Sequence, residues 1–177
     1  MSEDFNKTHN ASHGLLDTLQ PNVILLGERS FEAATLLIIQ RAEKELLIFD
    51  PNLSRGDYQS AAVTDALRSF LAKSRANKLT IVVHDKSFIA ERCARLLNLL
   101  KIYSHSITIY ETADTAKNAL DAFILADKSH YLRRFHIDQA RFKYVFDDVA
   151  ETNALLERYE ELVDGATISS LSTHVGL

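Results

Sequence analysis

The basic side chains between residues 133 and 143 form the densest group in the chain that could bind an anion. Arg133 and Arg134 are adjacent, and Arg141 and Lys143 follow across a short loop. Guanidinium groups bind carboxylates and phosphates through paired N–H donors, so this group predicts an anion or phosphate pocket. The alternative is the solvated face of an edge strand, whose arginines pair with neighbouring carboxylates.

Three further polar side chains follow apolar runs in the first half of the chain. Asp50, His84 and Asp85 lie at the C-terminal ends of consecutive predicted parallel strands, the edge where open α/β sheets bind ligands. A histidine beside two carboxylates could form a metal site or act as a general base, although we assign none of the three as a metal ligand. We include all three among the lining residues of a ligand site. Capping of the turn and helix that follow is the structural alternative for the two aspartates.

Composition narrows the classes of function. The formal net charge of −4 gives no general attraction to nucleic acid or to an anionic membrane, and we expect neither partner. The single cysteine, Cys93, precludes an intrachain disulfide, which fits a reducing compartment. No apolar run approaches the roughly 20 residues of a membrane span, so we predict a cytoplasmic protein. Five glycines cannot supply a glycine-rich phosphate loop, and no cofactor is predicted.

The hydrophobic pattern predicts an α/β fold: a mixed β-sheet with helices on both faces. Strands are predicted at residues 22–27, 46–50, 79–83, 107–110, 123–126, 131–135 and 142–146. Helices are predicted after a Ser30 cap, around residues 63–71 and 89–103, and at residues 148–164. Residues 1–20 are expected to be loosely packed, residues 21–165 to form the domain, and residues 166–177 to form a mobile tail.

Three stretches resemble the phospholipase D-like superfamily, and more narrowly a bacterial phospholipase D-like family of unknown function. The first stretch is residues 48–53. The second is residues 82–85, together with Arg92 and residues 95–97. The third is residues 123–127, followed by residues 131–134. The resemblance implies a single phospholipase D-like half-domain. Because active sites of the superfamily form between two halves, it also implies that this half could pair as a homodimer.

The segment Leu120–Asp127 stands where the superfamily has its His-x-Lys-x4-Asp motif. Asp127 keeps the acidic position, but Leu120 replaces the histidine that attacks phosphorus and Ala122 replaces the lysine that neutralises the phosphoryl oxygens. The resemblance therefore implies a catalytically inactive domain that binds an anionic small molecule or a protein partner, and a structural role for Asp127. The candidate lining residues are Arg133, Arg134, Asp50, His84 and Asp85.

An enzyme of altered chemistry is the alternative function, namely a phosphoester hydrolase with His84 as its base. His84, Lys86 and Glu91 match the spacing of the motif, with Glu in place of Asp. In the motif, however, the histidine and the lysine share one face of a strand, whereas His84 ends a predicted strand and Lys86 follows outside it. We interpret this match as coincidental.

Overall fold

The computed structural model describes residues 19–169 and 171. Its helices are α1 (Glu28–Arg41), α2 (Ala61–Lys73), α3 (Ser87–Arg92), α4 (Ala94–Ile102) and α5 (Val149–Val163). Its strands are β1 (Leu25–Leu26), β2 (Glu45–Phe49), β3 (Lys78–Val83), β4 (Ile107–Glu111), β5 (Ala122–Ala126), β6 (His130–His136), β7 (Gln139–Val145) and β8 (Thr167–Ile168). These elements confirm the predicted α/β class.

All eight strands belong to one mixed sheet, in the order β1-β7-β6-β5-β2-β3-β4-β8. The three strands β2, β3 and β4 are parallel because helices connect them, whereas β5, β6 and β7 form an antiparallel meander. β5 joins the two halves by pairing antiparallel with β2. The turn after β5 places Asp127 and Lys128 at φ angles of 54° and 58°, the left-handed conformation of tight hairpin turns.

Helices cover the two faces of the sheet unequally. Helices α1 to α4 supply apolar side chains to one large core, which contains Phe31, Leu67, Ile89 and Leu99. Helix α5 covers the other face through Leu155, Tyr159 and Leu162, which pack on side chains of the central strands. We call these the α1 face and the α5 face of the sheet.

The first strand and helix differ from the prediction. Gly27, with φ at 104°, precedes the first helical residue Glu28, so Ser30 lies within α1 instead of capping it. The apolar run before Gly27 pairs with the sheet only at Leu25–Leu26, and it does so at the sheet edge. An edge strand has one neighbour, which is why this run is more exposed than the predicted buried strand.

The third predicted helix is two helices. Cys93, with φ at −101° and ψ at 49°, separates α3 from α4. Its side chain is fully buried, as the apolar pattern predicts. Burial raises the pKa of the Cys93 thiol to about 11, so the thiol is protonated and packs as a small apolar group.

The end of the described chain contains a further difference. Asp148 caps α5, as predicted, by accepting a hydrogen bond from the N–H of Glu151. After Gly165, however, Thr167–Ile168 pair with β4, so the start of the predicted tail is part of the sheet. The predictions for residues 1–18 and 172–177 lie outside the described residues. Within the described part of the chain, no helix is long and apolar enough to cross a membrane.

Candidate functional site

The two adjacent arginines of the predicted anion site lie on opposite faces of the sheet. Neighbouring residues of a strand point to opposite sides, so Arg133 and Arg134 of β6 cannot line one cleft. Arg134 lies on the α1 face, close to Asp50, whereas Arg133 lies on the α5 face near the start of α5. The five predicted lining residues therefore form separate groups.

Arg134 is completely buried and its guanidinium is bound by the protein itself. Its Nη1 donates to Oε2 of Glu28 at 2.7 Å, and its Nη2 donates to Oε1 of the same carboxylate at 2.8 Å. Nη2 also donates to the carbonyl of Ile137, and Nε donates to the carbonyl of His136. This bidentate pair lowers the pKa of Glu28 and fastens the first turn of α1 to β6.

The positions that correspond to the catalytic motif lie beside this pair. Ala122 is directly opposite Arg134 in the β5–β6 ladder and is buried. Leu120 precedes the strand and is 43% exposed. Neither side chain can attack phosphorus or carry a positive charge, and the nearest guanidinium already has a carboxylate partner.

Asp127, which keeps the acidic position of the motif, has a structural role. One carboxylate oxygen accepts hydrogen bonds from the N–H groups of Lys44 and Glu45 at 2.7 and 3.0 Å, and the other accepts from Glu43 at 2.8 Å. These donors are the backbone groups that lead into β2. Asp127 therefore joins the β5–β6 turn to the start of the neighbouring strand.

Asp50 organises the turn after β2. Its Oδ1 accepts hydrogen bonds from the N–H groups of Asn52 and Leu53, and burial raises the pKa of its carboxyl to about 6. The following loop closes over it and buries Tyr58. A Cβ atom at Gly56 would lie 2.9 Å from the Tyr58 ring, so this loop conformation requires glycine, as does its φ of 82°.

His84 and Asp85 both have hydrogen-bond partners within the protein, although the residue at the N-cap position of α3 is Lys86 and not Asp85. The Nε2 of His84 lies 2.7 Å from the carbonyl of Ala119, which can only accept, so Nε2 carries the hydrogen. Its Nδ1 lies 2.7 Å from the Oγ1 of Thr112. Asp85 is exposed and accepts hydrogen bonds from the N–H and hydroxyl of Ser87, which lower the pKa of its carboxyl.

Lys86 does not join His84 at a common site. Its ammonium lies 3.3 Å from the carboxylate of Glu111. Both ring nitrogens of His84 are engaged with the segment that follows β4. The match to the motif spacing therefore brings no catalytic pair together.

Arg133 lines a groove on the α5 face, where the outer parts of β6, β7 and β1 extend beyond α5. The groove has a volume of about 360 Å³. Its lining residues are Asn22, Ile24, Tyr131, Arg133, Phe135, Lys143, Asp148 and Glu151. This groove combines the partly exposed arginine of the predicted anion site with Lys143, which the sequence also indicated.

The guanidinium of Arg133 is only loosely paired. Its Nη atoms lie 3.6 Å from Asp121 and 3.8 Å from Glu151, and its side chain is 33% exposed. The buried Nε has no hydrogen-bond partner among the described residues. Asp121 is bound more tightly by Arg158, at 2.6 and 3.1 Å. Arg133 thus keeps donor capacity that Arg134 has lost.

The sequence did not indicate two residues that lie beside these arginines. Glu28 lies 106 positions before Arg134, and no local pattern connects the two. Ile24 was assigned to a buried strand, although it is 51% exposed at the groove. Phe135 lies two residues after Arg133 in β6, so the alternation of a strand puts both side chains on the same face. In the described part of the chain, no three His, Cys, Asp or Glu side chains are grouped to hold a metal ion.

Comparison with known proteins identifies the fold. Residues 27–170 match the model of a family described as Domain of unknown function (DUF7931). A search of curated proteins finds no match to the chain. Among solved structures, Nuc from Salmonella typhimurium, a phospholipase D family member, has a TM-score of 0.61 and 12% identity, covering 83% of this chain and 97% of Nuc. NucT from Helicobacter pylori has a TM-score of 0.56 and 12% identity, covering 83% of this chain and 98% of NucT.

A third similar structure is that of TrmBL2, an archaeal chromatin protein described as showing a novel mode of DNA binding. It has a TM-score of 0.63 and 11% identity, covering 94% of this chain and 64% of TrmBL2. At these identities the similarity concerns the fold. The shared fold is that of phospholipase D.

Proposed function

Because the chain belongs to the DUF7931 family and has a phospholipase D-like fold, we propose that it is a catalytically inactive domain that binds an anionic group at Arg133. One observation carries this proposal. The two motif positions that perform the chemistry in active phospholipase D-like proteins are occupied here by Leu120 and Ala122. Arg133, in contrast, has a partly exposed guanidinium in a groove. Loss of the reacting groups with retention of an accessible cation favours binding over catalysis.

The absence of activity has a physical basis at the motif positions. Leucine has no nucleophilic atom, and alanine cannot neutralise the oxygens of a phosphoryl group. Arg134, opposite Ala122, holds the Glu28 carboxylate in the bidentate geometry that a phosphate would otherwise take. An anion would have to displace the Glu28 carboxylate to reach the buried guanidinium of Arg134.

The groove at Arg133 is the better anion site. The contacts of the Arg133 guanidinium with Asp121 and Glu151 are longer than 3.5 Å. The Glu151 side chain is exposed, and an exposed ion pair contributes about 1 kcal/mol or less. Asp121 is buried but is bound more closely by Arg158, so a ligand can compete for the guanidinium of Arg133. Lys143 lies opposite Arg133 on the neighbouring strand and supplies a second positive charge.

The proposal is tested by measuring hydrolysis and binding in the same samples. We expect no hydrolysis of bis(p-nitrophenyl) phosphate above background, and a rise in unfolding temperature with tripolyphosphate. A ligand at 100 times its dissociation constant adds about 2.7 kcal/mol to the free energy of unfolding. The shift should disappear in Arg133→Ala and persist in Arg75→Ala, whose exposed side chain lies outside the groove.

Two outcomes would contradict this function. Hydrolysis that is lost in His84→Ala would favour the alternative, a phosphoester hydrolase in which His84 is the base. That enzyme would require His84 to release Ala119 or Thr112. An unfolding temperature that does not change at saturating tripolyphosphate would exclude Arg133 as an anion site.

A further inference from the structure

The groove is part of a larger exposed surface, which we call the open sheet face. It consists of the α5-facing side chains of the last three strands at one end of the sheet: Ile24, Leu26, Arg133, Phe135, Arg141 and Lys143. Leu26 pairs with Arg141 across the β1–β7 ladder, and Lys143 pairs with Arg133 across the β6–β7 ladder. Paired residues project to the same side of a sheet, so these side chains form one continuous surface.

The apolar part of this surface is unusually exposed. Leu26 is 69% exposed, Ile24 is 51% exposed and Phe135 is 37% exposed. Ile24 and Leu26 lie at the edge of the sheet, where β1 is the terminal strand of the described residues and its outer backbone groups have no strand partner. Exposed apolar side chains beside an unpaired strand edge are typical of a protein-binding surface.

The polar part of this surface is positively charged. Arg133, Arg141 and Lys143 contribute three cations in a chain whose net charge is −4. Two of them lie over the same aromatic ring: the Cζ atoms of Arg133 and Arg141 are 5.8 and 5.6 Å from the centroid of Phe135. At the border of the face, Asp148 is engaged in capping α5. Arg133 has only its two contacts longer than 3.5 Å with Asp121 and Glu151, and no salt bridge of Arg141 or Lys143 is found among the described residues. An acidic partner can therefore compete for these positive charges.

We propose that the open sheet face binds an extended, acidic segment of another protein. Apolar side chains of that segment would cover Ile24 and Leu26, and its carboxylates would pair with Arg133, Arg141 and Lys143. Its backbone would lie along β1, as in strand addition to a sheet edge. This inference rests on the proposed function, because the carboxylates are the anionic group that Arg133 binds.

The composition of the face favours this occupant over others. A second copy placed face to face would bring three cations against three cations, which is unfavourable. Single-stranded nucleic acid requires aromatic side chains for base stacking, and the most exposed apolar side chains here are the aliphatic Leu26 and Ile24. A free phosphate would leave both aliphatic side chains in water.

The test is a selection of short random peptides on the immobilised full-length protein, followed by fluorescence anisotropy of the recovered peptides. We expect enrichment of peptides that alternate Asp or Glu with apolar residues. Affinity should fall about tenfold or more in Arg141→Glu/Lys143→Glu and severalfold in Leu26→Ser. The matched control, Arg75→Glu/Lys101→Glu, makes the same change in charge at exposed positions outside the face and should leave affinity unchanged.

Several results would overturn the inference. Recovery of no acidic peptide, or binding that tolerates Arg141→Glu/Lys143→Glu, would show that this face is not the docking surface. Binding of oligothymidylate that the same variant abolishes would identify a nucleic acid as the occupant. A dimer that the variant dissociates would identify a second copy. Circular dichroism checks that each variant is folded. If Arg141→Glu/Lys143→Glu is not folded, the neutral variant Arg141→Gln/Lys143→Gln is used in its place.

The proposed function and this inference can fail separately. If tripolyphosphate binds at Arg133 but no acidic peptide does, the anion site stands and the protein partner is wrong. If neither ligand binds, both are wrong.

Discussion

At the scale of single residues, Arg134 of the predicted anion site is part of the core. Arg134 has no exposed surface, and Glu28 is its only carboxylate partner among the described residues. A buried cation is strongly destabilising when it loses its partner, because its desolvation is no longer offset. Loss of the ion pair should therefore destabilise the fold, and the pair occupies guanidinium donors that a ligand would need.

Removing Glu28 tests this role. Glu28→Gln should lower the free energy of unfolding by about 3 kcal/mol, because it leaves the buried Arg134 without a counter-charge. Urea denaturation measures the loss. Arg55→Ala is the matched control, because Arg55 also pairs with Glu28, at 3.7 Å. In this pair the side chains of Arg55 and Glu28 are both more than 40% exposed, so no buried charge is left without a partner. The loss in Arg55→Ala should be about 1 kcal/mol or less, and equal losses in the two variants would contradict the role of Arg134.

Asp50 should make stability depend on pH. Burial raises the pKa of its carboxyl from 3.8 to about 6, so the folded state binds this proton more tightly than the unfolded state does. The stability contributed by this group is complete below about pH 4 and is lost as the pH rises through about 6. Asp50→Asn should keep the hydrogen bonds to Asn52 and Leu53, and at pH 7 it should raise the free energy of unfolding by about 3 kcal/mol.

Urea denaturation at several pH values checks this prediction. The difference between Asp50→Asn and wild type should shrink towards pH 4. Asp85→Asn should show the opposite dependence, because its hydrogen bonds with Ser87 lower the pKa of Asp85, and that stability is lost as the pH falls. A difference for Asp50→Asn that does not vary with pH would show that Asp50 is ionised throughout.

At the scale of elements, Asp127 joins the β5–β6 hairpin to β2. Three backbone N–H groups depend on its carboxylate, and the residue itself has a positive φ of 54°. The junction of hairpin and strand therefore gives Asp127 a structural role that does not depend on catalysis. Alanine lacks both the acceptor oxygens and the tolerance of aspartate and asparagine for this conformation.

Substitution of Asp127 should be costly in a graded way. Asp127→Ala should lower the free energy of unfolding by about 2 kcal/mol, because it leaves three donors without an acceptor. Asp127→Asn should cost less, since one carbonyl oxygen can still accept from Lys44 and Glu45. Asp147→Ala, at a φ of 57° with an exposed side chain, measures the backbone cost alone. A loss no greater than that of Asp147→Ala would contradict the structural role of Asp127.

At the scale of the whole molecule, charge is distributed unevenly. The chain has a net charge of −4, yet the open sheet face carries three cations. The overall charge still argues against general binding of nucleic acid, although the similar structure of TrmBL2 is described as showing DNA binding. Local charge, and not the total, decides which partner this face can bind.

The oligomeric state remains a prediction from the superfamily resemblance, which implies pairing of two half-domains. Light scattering should give twice the mass of the chain. This mass should not change in Arg141→Glu/Lys143→Glu, because the cations of the open sheet face would repel the same face of a second copy. A monomer would contradict the predicted homodimer.

The sequence by itself determined most of the elements and the residue types at the motif positions. Apolar runs predicted β2 to β7 to within a few residues, and Asp148 predicted the start of α5, because these signals are local. Leu120 and Ala122 can likewise be recognised without a structure. Only the tertiary structure decided that Arg134 pairs with Glu28, that His84 binds Ala119, and that α5 leaves Arg133 accessible. These outcomes depend on contacts between residues far apart in the chain and on which strands a helix covers, and neither is encoded in local periodicity.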